Sequence, residues 1–260
     1  MAQFATPIDE HRAMRLKEKI VVITGAAGGI GSALTRRFLA EGAKVWAVDN
    51  RGKELQALVA DSGGSPAIIG FQIDVTKEQD CEWLAGRLSR EGGVVDILVN
   101  CAGEIAITPF EHLTYAEWRD VCAIELDATF LMTKAVLPLL KESKAGRIIN
   151  FSSGSIFKGA ANQCHYVAAK AGVIGLTRSL SQALGVYNIT VNAITPGVTT
   201  TPPVKKLFGI QKLNEAIKRR VLKRQENAED LVGAVVFLAS EDAAFLTGQT
   251  VNVDGGTNFI

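Results

Sequence analysis

From Ile20 onward, short runs rich in Val and Ile alternate with longer stretches in which apolar residues return every three or four positions. Such runs suit strands buried on both faces, and the intervening period suits amphipathic helices. Seven strands are predicted: Ile20–Thr24, Lys44–Asp49, Ile68–Asp74, Ile97–Asn100, Arg147–Ser152, Thr190–Ile194 and Thr250–Val253. Helices are predicted over Gly29–Ala40, Lys53–Ala60, Glu78–Arg90, Tyr115–Leu140, Gln163–Leu184 and Ala228–Ala239. Strand and helix alternating in this order predict an α/β fold. It is a single-domain, Rossmann-like, doubly wound parallel sheet of seven strands with helices on both faces. Residues 1–15 read as a flexible leader and 16–260 as one catalytic domain. Within it, 197–225 breaks the rhythm and reads as a substrate lid.

Composition narrows the function classes. The chain has 260 residues, 47% of them hydrophobic, and a formal charge of +1. That apolar content excludes disorder. Near-zero charge supplies no field for a polyanion or an acidic membrane, so neither nucleic acid nor membrane is an expected partner. No apolar run approaches the roughly 18 residues of a membrane span. Cys81, Cys101, Cys122 and Cys164 have neither disulfide-framework nor zinc-ligand spacing, which predicts no metal and a reducing, cytoplasmic location. The lid carries eight cations, Lys205, Lys206, Lys212, Lys218, Arg219, Arg220, Lys223 and Arg224, against Glu215 alone. A solvated amphipathic helix is the plain reading of this charge. An attractor for an anionic substrate, such as a carboxylate, a phosphate or an acyl carrier, is the sharper one.

The first strand runs into Thr24-Gly25-Ala26-Ala27-Gly28-Gly29-Ile30-Gly31 and then a helix. Free amides and the positive dipole end at such a junction favour a pyrophosphate, and small residues let it approach. Asp49 ends the second strand, eighteen positions past Gly31. A carboxylate there accepts the ribose hydroxyls of NAD and repels the 2′-phosphate of NADP. Gly28 offers that phosphate no cation, although Arg51 is near, so NAD is favoured over NADP.

Tyr166 and Lys170 stand four residues apart in a helical stretch, and therefore one turn apart on one face. An ammonium beside a phenol stabilises the phenolate and lowers a pKa that is ordinarily about 10. Ser153, at the carboxyl end of the fifth strand, reaches the same edge, where ligands of open α/β sheets bind.

With these motifs in order, followed by Asp74-Val75, Asn100-Cys101-Ala102-Gly103 and Pro196-Gly197 with Thr201, the chain resembles the short-chain dehydrogenase/reductase family over nearly its whole length. The resemblance implies Tyr166 as general acid/base and Ser153 as the group that orients the substrate oxygen. Lys170 would hold the nicotinamide ribose and tune Tyr166. Asp74 and Val75 would meet the adenine, Asn100, Ala102 and Gly103 would line the cofactor's path, and Thr199 and Thr201 would hold the carboxamide beside Pro196 and Gly197. Gly25, Ala27, Gly29, Ile30, Gly31 and Asp49 complete the implied cofactor set. The family also implies a homotetramer and, at Phe157, His165, Val198, Leu207 and Phe208, a substrate pocket. His165, Cys164 and Cys101 are given no part in the chemistry, and Trp46, Phe71 and Phe130 are assigned to the core.

One position departs from the family, which usually has asparagine in the long helix after a Trp. Counting from Trp118, that position is Glu125. Three readings stay open. An ionised Glu125 pairs with Lys170 and weakens its hold on Tyr166, moving turnover to higher pH. A desolvated Glu125 carries a proton in a relay. Or it turns outward.

The expected activity is hydride transfer between NAD(H) and a secondary alcohol or its ketone. An NADPH-dependent 3-ketoacyl reductase is the rival among enzymes. A weakly catalytic NAD-binding scaffold or redox sensor is the rival outside them.

Overall fold

The computed structural model describes residues 14–260. The predicted leader lies outside these residues except for Met14 and Arg15, and Arg15 is tied down by its amide to the Glu41 carboxylate at 3.2 Å. A single seven-stranded sheet has the order β3-β2-β1-β4-β5-β6-β7 with every ladder parallel. The strands are β1 Ile20–Thr24, β2 Lys44–Asp49, β3 Ile68–Gln72, β4 Ile97–Asn100, β5 Arg147–Phe151, β6 Thr190–Pro196 and β7 Thr250–Val253. The helices are α1 Gly29–Ala40, α2 Gly52–Asp61, α3 Glu78–Glu91, α4 Tyr115–Cys122, α5 Ala128–Lys141, α6 Cys164–Leu184, α7 Pro202–Arg219 and α8 Glu229–Ala239.

Successive strand residues point to opposite faces, so β1 divides its side chains between two cores. Val21 and Ile23 join Leu34 and Phe38 of α1, Leu55 of α2 and Val235 of α8. Val22 joins Leu84 of α3, Met132 of α5 and Leu184 of α6. Each fully buried Leu, Val or Phe contributes roughly 1.5–3 kcal/mol of transfer free energy, which makes this sheet the rigid platform for its carboxyl edge. No helix among the described residues is long and apolar enough to cross a membrane.

Some features correct the sequence expectation, β3 and β5 ending early at Gln72 and Phe151 among them, while the lid keeps its plain reading as a helix. The helix expected over 115–140 is interrupted by a π-helical turn at Ala123–Asp127. β6 runs two residues further, because β7 continues its ladder through Thr195 and Pro196. The lid's helix, α7, begins after Thr201 and is kinked at Gly209, whose φ of 65° suits glycine. Phe130 is on the surface, 46% exposed, whereas Trp46 and Phe71 are buried.

Candidate active site

The carboxyl ends of β1, β2, β4, β5 and β6 open into one crevice of about 1570 Å³, walled on the far side by α7. Its floor is the turn between β1 and α1. Thr24 ties the two central strands together here, its hydroxyl accepting the amides of Cys101 and Ala102 at 3.1 Å. Gly25 has a φ of +64°, and a β-carbon there would fall 2.8 Å from Ala102 Cα. One on Gly31 would fall 2.1 Å from the Gly25 carbonyl oxygen. The turn closes only with glycine at both places.

The first-turn amides of α1 have no intrahelical acceptors. No side chain caps them at Gly28, and the first turn carries no acidic residue. Open donors, a positive dipole end and absent anionic competition fit a dinucleotide's pyrophosphate. Of the residues expected to hold a cofactor, Gly25, Ala27, Gly29, Ile30, Gly31, Asp49, Asp74, Val75, Ala102, Gly103, Tyr166, Lys170, Pro196, Gly197, Thr199 and Thr201 all line the crevice.

Asn100 does not line it. Its side chain turns inward, donating to Thr133 Oγ1 at 3.1 Å and Asn150 Oδ1 at 2.9 Å, while Asn150 donates to Thr177 at 3.0 Å. Side chains this deep must be satisfied by one another, and the result is a polar rivet from β4 through β5 to α5 and α6.

Asp49 is fully engaged at the end of β2. It accepts the Ala27 amide at 2.9 Å, the Arg51 amide at 3.0 Å, and two guanidinium bonds from Arg51 at 2.9 Å. The hydrogen bond to Asp49 holds the Arg51 guanidinium above its ordinary pKa. The sequence placed Arg51 nearby but gave no sign that it neutralises Asp49.

Ser153 caps a short 3₁₀ turn, Gly154–Phe157. Its hydroxyl accepts from the amide and hydroxyl of Ser155 at 3.2 and 2.9 Å. Ser155 lines the crevice too and was missed, since a second serine after Ser-Ser-Gly has no distinguishing spacing. Tyr166 and Lys170 share one face of α6 as the spacing required. The Lys170 ammonium stands 5.8 Å from the centre of the Tyr166 ring, donates to the Phe151 carbonyl at 2.9 Å, and lies 2.6 Å from Glu125 Oε2.

Glu125 therefore points inward, from the π turn, and is 1% exposed. Its other oxygen accepts the Glu104 amide at 2.6 Å. These contacts correct the expected lowering of the phenol. Burial raises the Tyr166 pKa above its ordinary value, and Glu125 adds to the rise. Lys170 and a hydrogen bond with Ser153 oppose it without prevailing. Burial alone would lower Lys170, but the adjacent Glu125 carboxylate outweighs it and raises the ammonium. Burial pushes the Cys101 thiol up to about 12, so it stays neutral and unreactive.

Thr199 is held from behind. Its hydroxyl donates to Glu226 at 2.7 Å, and Glu226 pairs with Arg220 at 3.2 Å, both charged side chains nearly inaccessible. Arg220 also donates to the Val198 carbonyl at 2.8 Å. The composition of the lid made Arg220 look like one solvated cation among eight. In the fold it is a structural strut, and Arg224 is neutralised by Asp230 at 2.6 Å. Lys206, Lys212 and Arg219 remain to line the crevice from α7, with Val198, Leu207 and Phe208 beside them. Phe157 and His165 do not line it; His165 is fully buried.

The chain is similar to known proteins over nearly its whole length. Residues 25–258 match the family described as "Enoyl-(Acyl carrier protein) reductase". The chain is 36% identical over 245 residues to the 3-oxoacyl-acyl-carrier-protein reductase FabG of Thermotoga maritima, covering 94% of this chain and 99% of that protein. It is 34% identical to the D-threitol dehydrogenase of Mycolicibacterium smegmatis, over 93% of this chain and 94% of that one. Among solved structures, a short-chain dehydrogenase/reductase of Brucella melitensis, titled a glucose/ribitol dehydrogenase, superposes with a TM-score of 0.90 at 32% identity. That match covers 95% of this chain and 99% of the other.

Proposed function

The chain belongs to the short-chain dehydrogenase/reductase family, and from that premise we propose that it moves a hydride between a nicotinamide dinucleotide, NAD(H) before NADP(H), and a secondary alcohol or its ketone. The observation that carries this reading is the meeting of Ser153, Tyr166 and Lys170 in the same crevice as the uncapped glycine turn. The dinucleotide, when bound, supplies the hydride acceptor or donor. The protein contributes position and a proton.

Gly29, Ile30 and Gly31 would present amides to the pyrophosphate, Asp49 with Arg51 would lie toward the adenosine ribose, and Asp74 and Val75 would border the adenine. Thr199, stiffened by Glu226, and Thr201 would hold the carboxamide. Ser153 hydrogen-bonds the substrate oxygen and keeps it beside the Tyr166 hydroxyl, which gives or takes the proton. Lys170 would donate to the nicotinamide ribose and sets the charge around the phenol. Relatives named as a 3-oxoacyl reductase and a threitol dehydrogenase share the carbonyl/alcohol interconversion that this set of groups performs. A cytoplasmic homotetramer belongs to the same reading. The four cysteines are free, and Val186, Phe245 and Phe259 remain largely exposed on the single chain.

A second reading is favoured by Arg51. With its charge beside Gly28 and Asp49 neutralised, a 2′-phosphate meets less repulsion than Asp49 alone would impose, as an NADPH-dependent ketoacyl reductase requires. Initial rates with NADH and NADPH on one ketone decide between them. A larger kcat/KM with NADH supports the first reading. A larger value with NADPH supports the second, and no turnover across ketones, polyols and acyl thioesters removes both.

A further inference from the structure

We propose that Glu125 is a positioning residue that pairs with the Lys170 ammonium and offsets its pull on Tyr166, so that the phenol keeps its proton and alcohol oxidation is displaced to alkaline pH. This rests on the reading of Tyr166 as the proton-transferring group. Glu125 owes its direction to the π turn at Ala123–Asp127, a distortion often found at functional sites. It is built in from three sides. Lys170 lies 2.6 Å from Oε2, the Glu104 amide donates to Oε1 at 2.6 Å, and Gly103 leaves room, since a β-carbon there would fall 2.9 Å from Oε2.

A buried carboxylate is costly to desolvate unless paired, so contact with Lys170 is the arrangement that makes it tolerable. The consequence falls on Lys170. Its ammonium is shared between Glu125 and the Phe151 carbonyl at 2.9 Å, and it stands 5.8 Å from the Tyr166 ring centre. The charges that bear on the phenol are then Lys170, which favours phenolate, and Glu125, which disfavours it. The Cys101 thiol beside them is neutral.

In the reductive direction the Tyr166 O–H bond breaks and its proton goes to the substrate oxygen. The carbonyl π pair becomes the new O–H bond while the carbonyl carbon takes hydride from the reduced dinucleotide, which is oxidised. Phenolate remains and is reprotonated from solvent. A phenol that keeps its proton to high pH starts this step ready. The reverse step needs the phenolate and is delayed to alkaline pH.

The test uses the fact that the chain has three tyrosines, of which Tyr115 and Tyr187 are 78% and 43% exposed. Ultraviolet titration of tyrosinate in the cofactor-free protein, compared with Tyr166→Phe, isolates Tyr166. The wild-type phenol is expected to titrate above the ordinary value of about 10. In Glu125→Gln it moves down by about one unit, and the alkaline limb of alcohol oxidation moves with it; Glu125→Asp restores much of the wild-type profile. A wild-type Tyr166 titrating below 10 overturns the proposal even if Glu125→Gln fails to fold. So does a folded Glu125→Gln in which neither the titration nor the oxidation limb moves. Absence of turnover with every ketone and alcohol would instead count against the proposed activity, and the phenol titration reads Glu125 independently of it.

Discussion

The Asp49 carboxylate and the Arg51 guanidinium, two residues apart, close a bidentate pair at 2.9 Å at the mouth of the cofactor crevice. Arg51 is 44% exposed on its side chain, whereas Asp49 is 2% exposed. The carboxylate is thus fixed in place, while part of the paired guanidinium still faces solvent. Under the proposed function both charges would bear on the 2′ position of the adenosine ribose.

Arg51→Ala removes the cation and frees the carboxylate. The ratio of kcat/KM for NADH over NADPH is expected to rise about tenfold, the equivalent of about 1.4 kcal/mol. Asp49→Ala is expected to lower it. Steady-state rates with each cofactor on one ketone check both, and an Arg51→Ala enzyme with an unchanged ratio would remove Arg51 from cofactor choice.

Replacing the proposed proton donor should spare the fold. Tyr166→Phe is expected to cut kcat by about 100- to 10,000-fold, the usual contribution of a positioned acid/base, while quenching of protein fluorescence still detects NADH binding. Turnover within a factor of a few of wild type would displace Tyr166 from the chemistry.

The Arg220–Glu226 pair makes a different prediction, because both charges are buried, at 3% and 5% side-chain exposure. Glu226→Ala leaves an unpaired guanidinium and deprives Thr199 of its acceptor, costing about 3–5 kcal/mol of stability. Denaturant unfolding measures that loss. Weaker dinucleotide binding should accompany it, since the loop after β6 loses its support.

Asp254 carries a pH dependence. Burial pushes its carboxyl up, but hydrogen bonds from the side chain of Asn252 and from Thr257 and Asn258 outweigh burial and hold it below the ordinary carboxylate range. A depressed pKa stabilises the fold above the unfolded value, and the gain is lost as pH falls through the folded value. Asp254→Ala is therefore expected to cost about 1–3 kcal/mol near neutrality. The gap to wild type should shrink below about pH 4. Urea midpoints at several pH values test this. Asn258, also bound to Asp254, reaches the Gly154 carbonyl beside Ser153, so the variant should lower kcat as well.

Whatever depends on local periodicity was legible in the chain alone. Strands buried on both faces announce themselves as Val and Ile runs, and β1, β2, β4 and β7 begin and end where the pattern places them. The glycine turn is legible because close approach forbids side chains, and Tyr166 with Lys170 because a helix returns to the same face after four residues. The partner of each charge was fixed only by packing. Glu125 could pair, carry a proton or turn outward until the π turn set it 2.6 Å from Lys170. Arg220 looked solvated until packing buried it against Glu226, Asn100 looked like a cofactor contact until it turned toward Thr133 and Asn150, and Phe130 looked like core until α5 left it on the surface. Coulomb and desolvation energies depend on distances between segments far apart in the chain, and those distances exist only once the layers have packed.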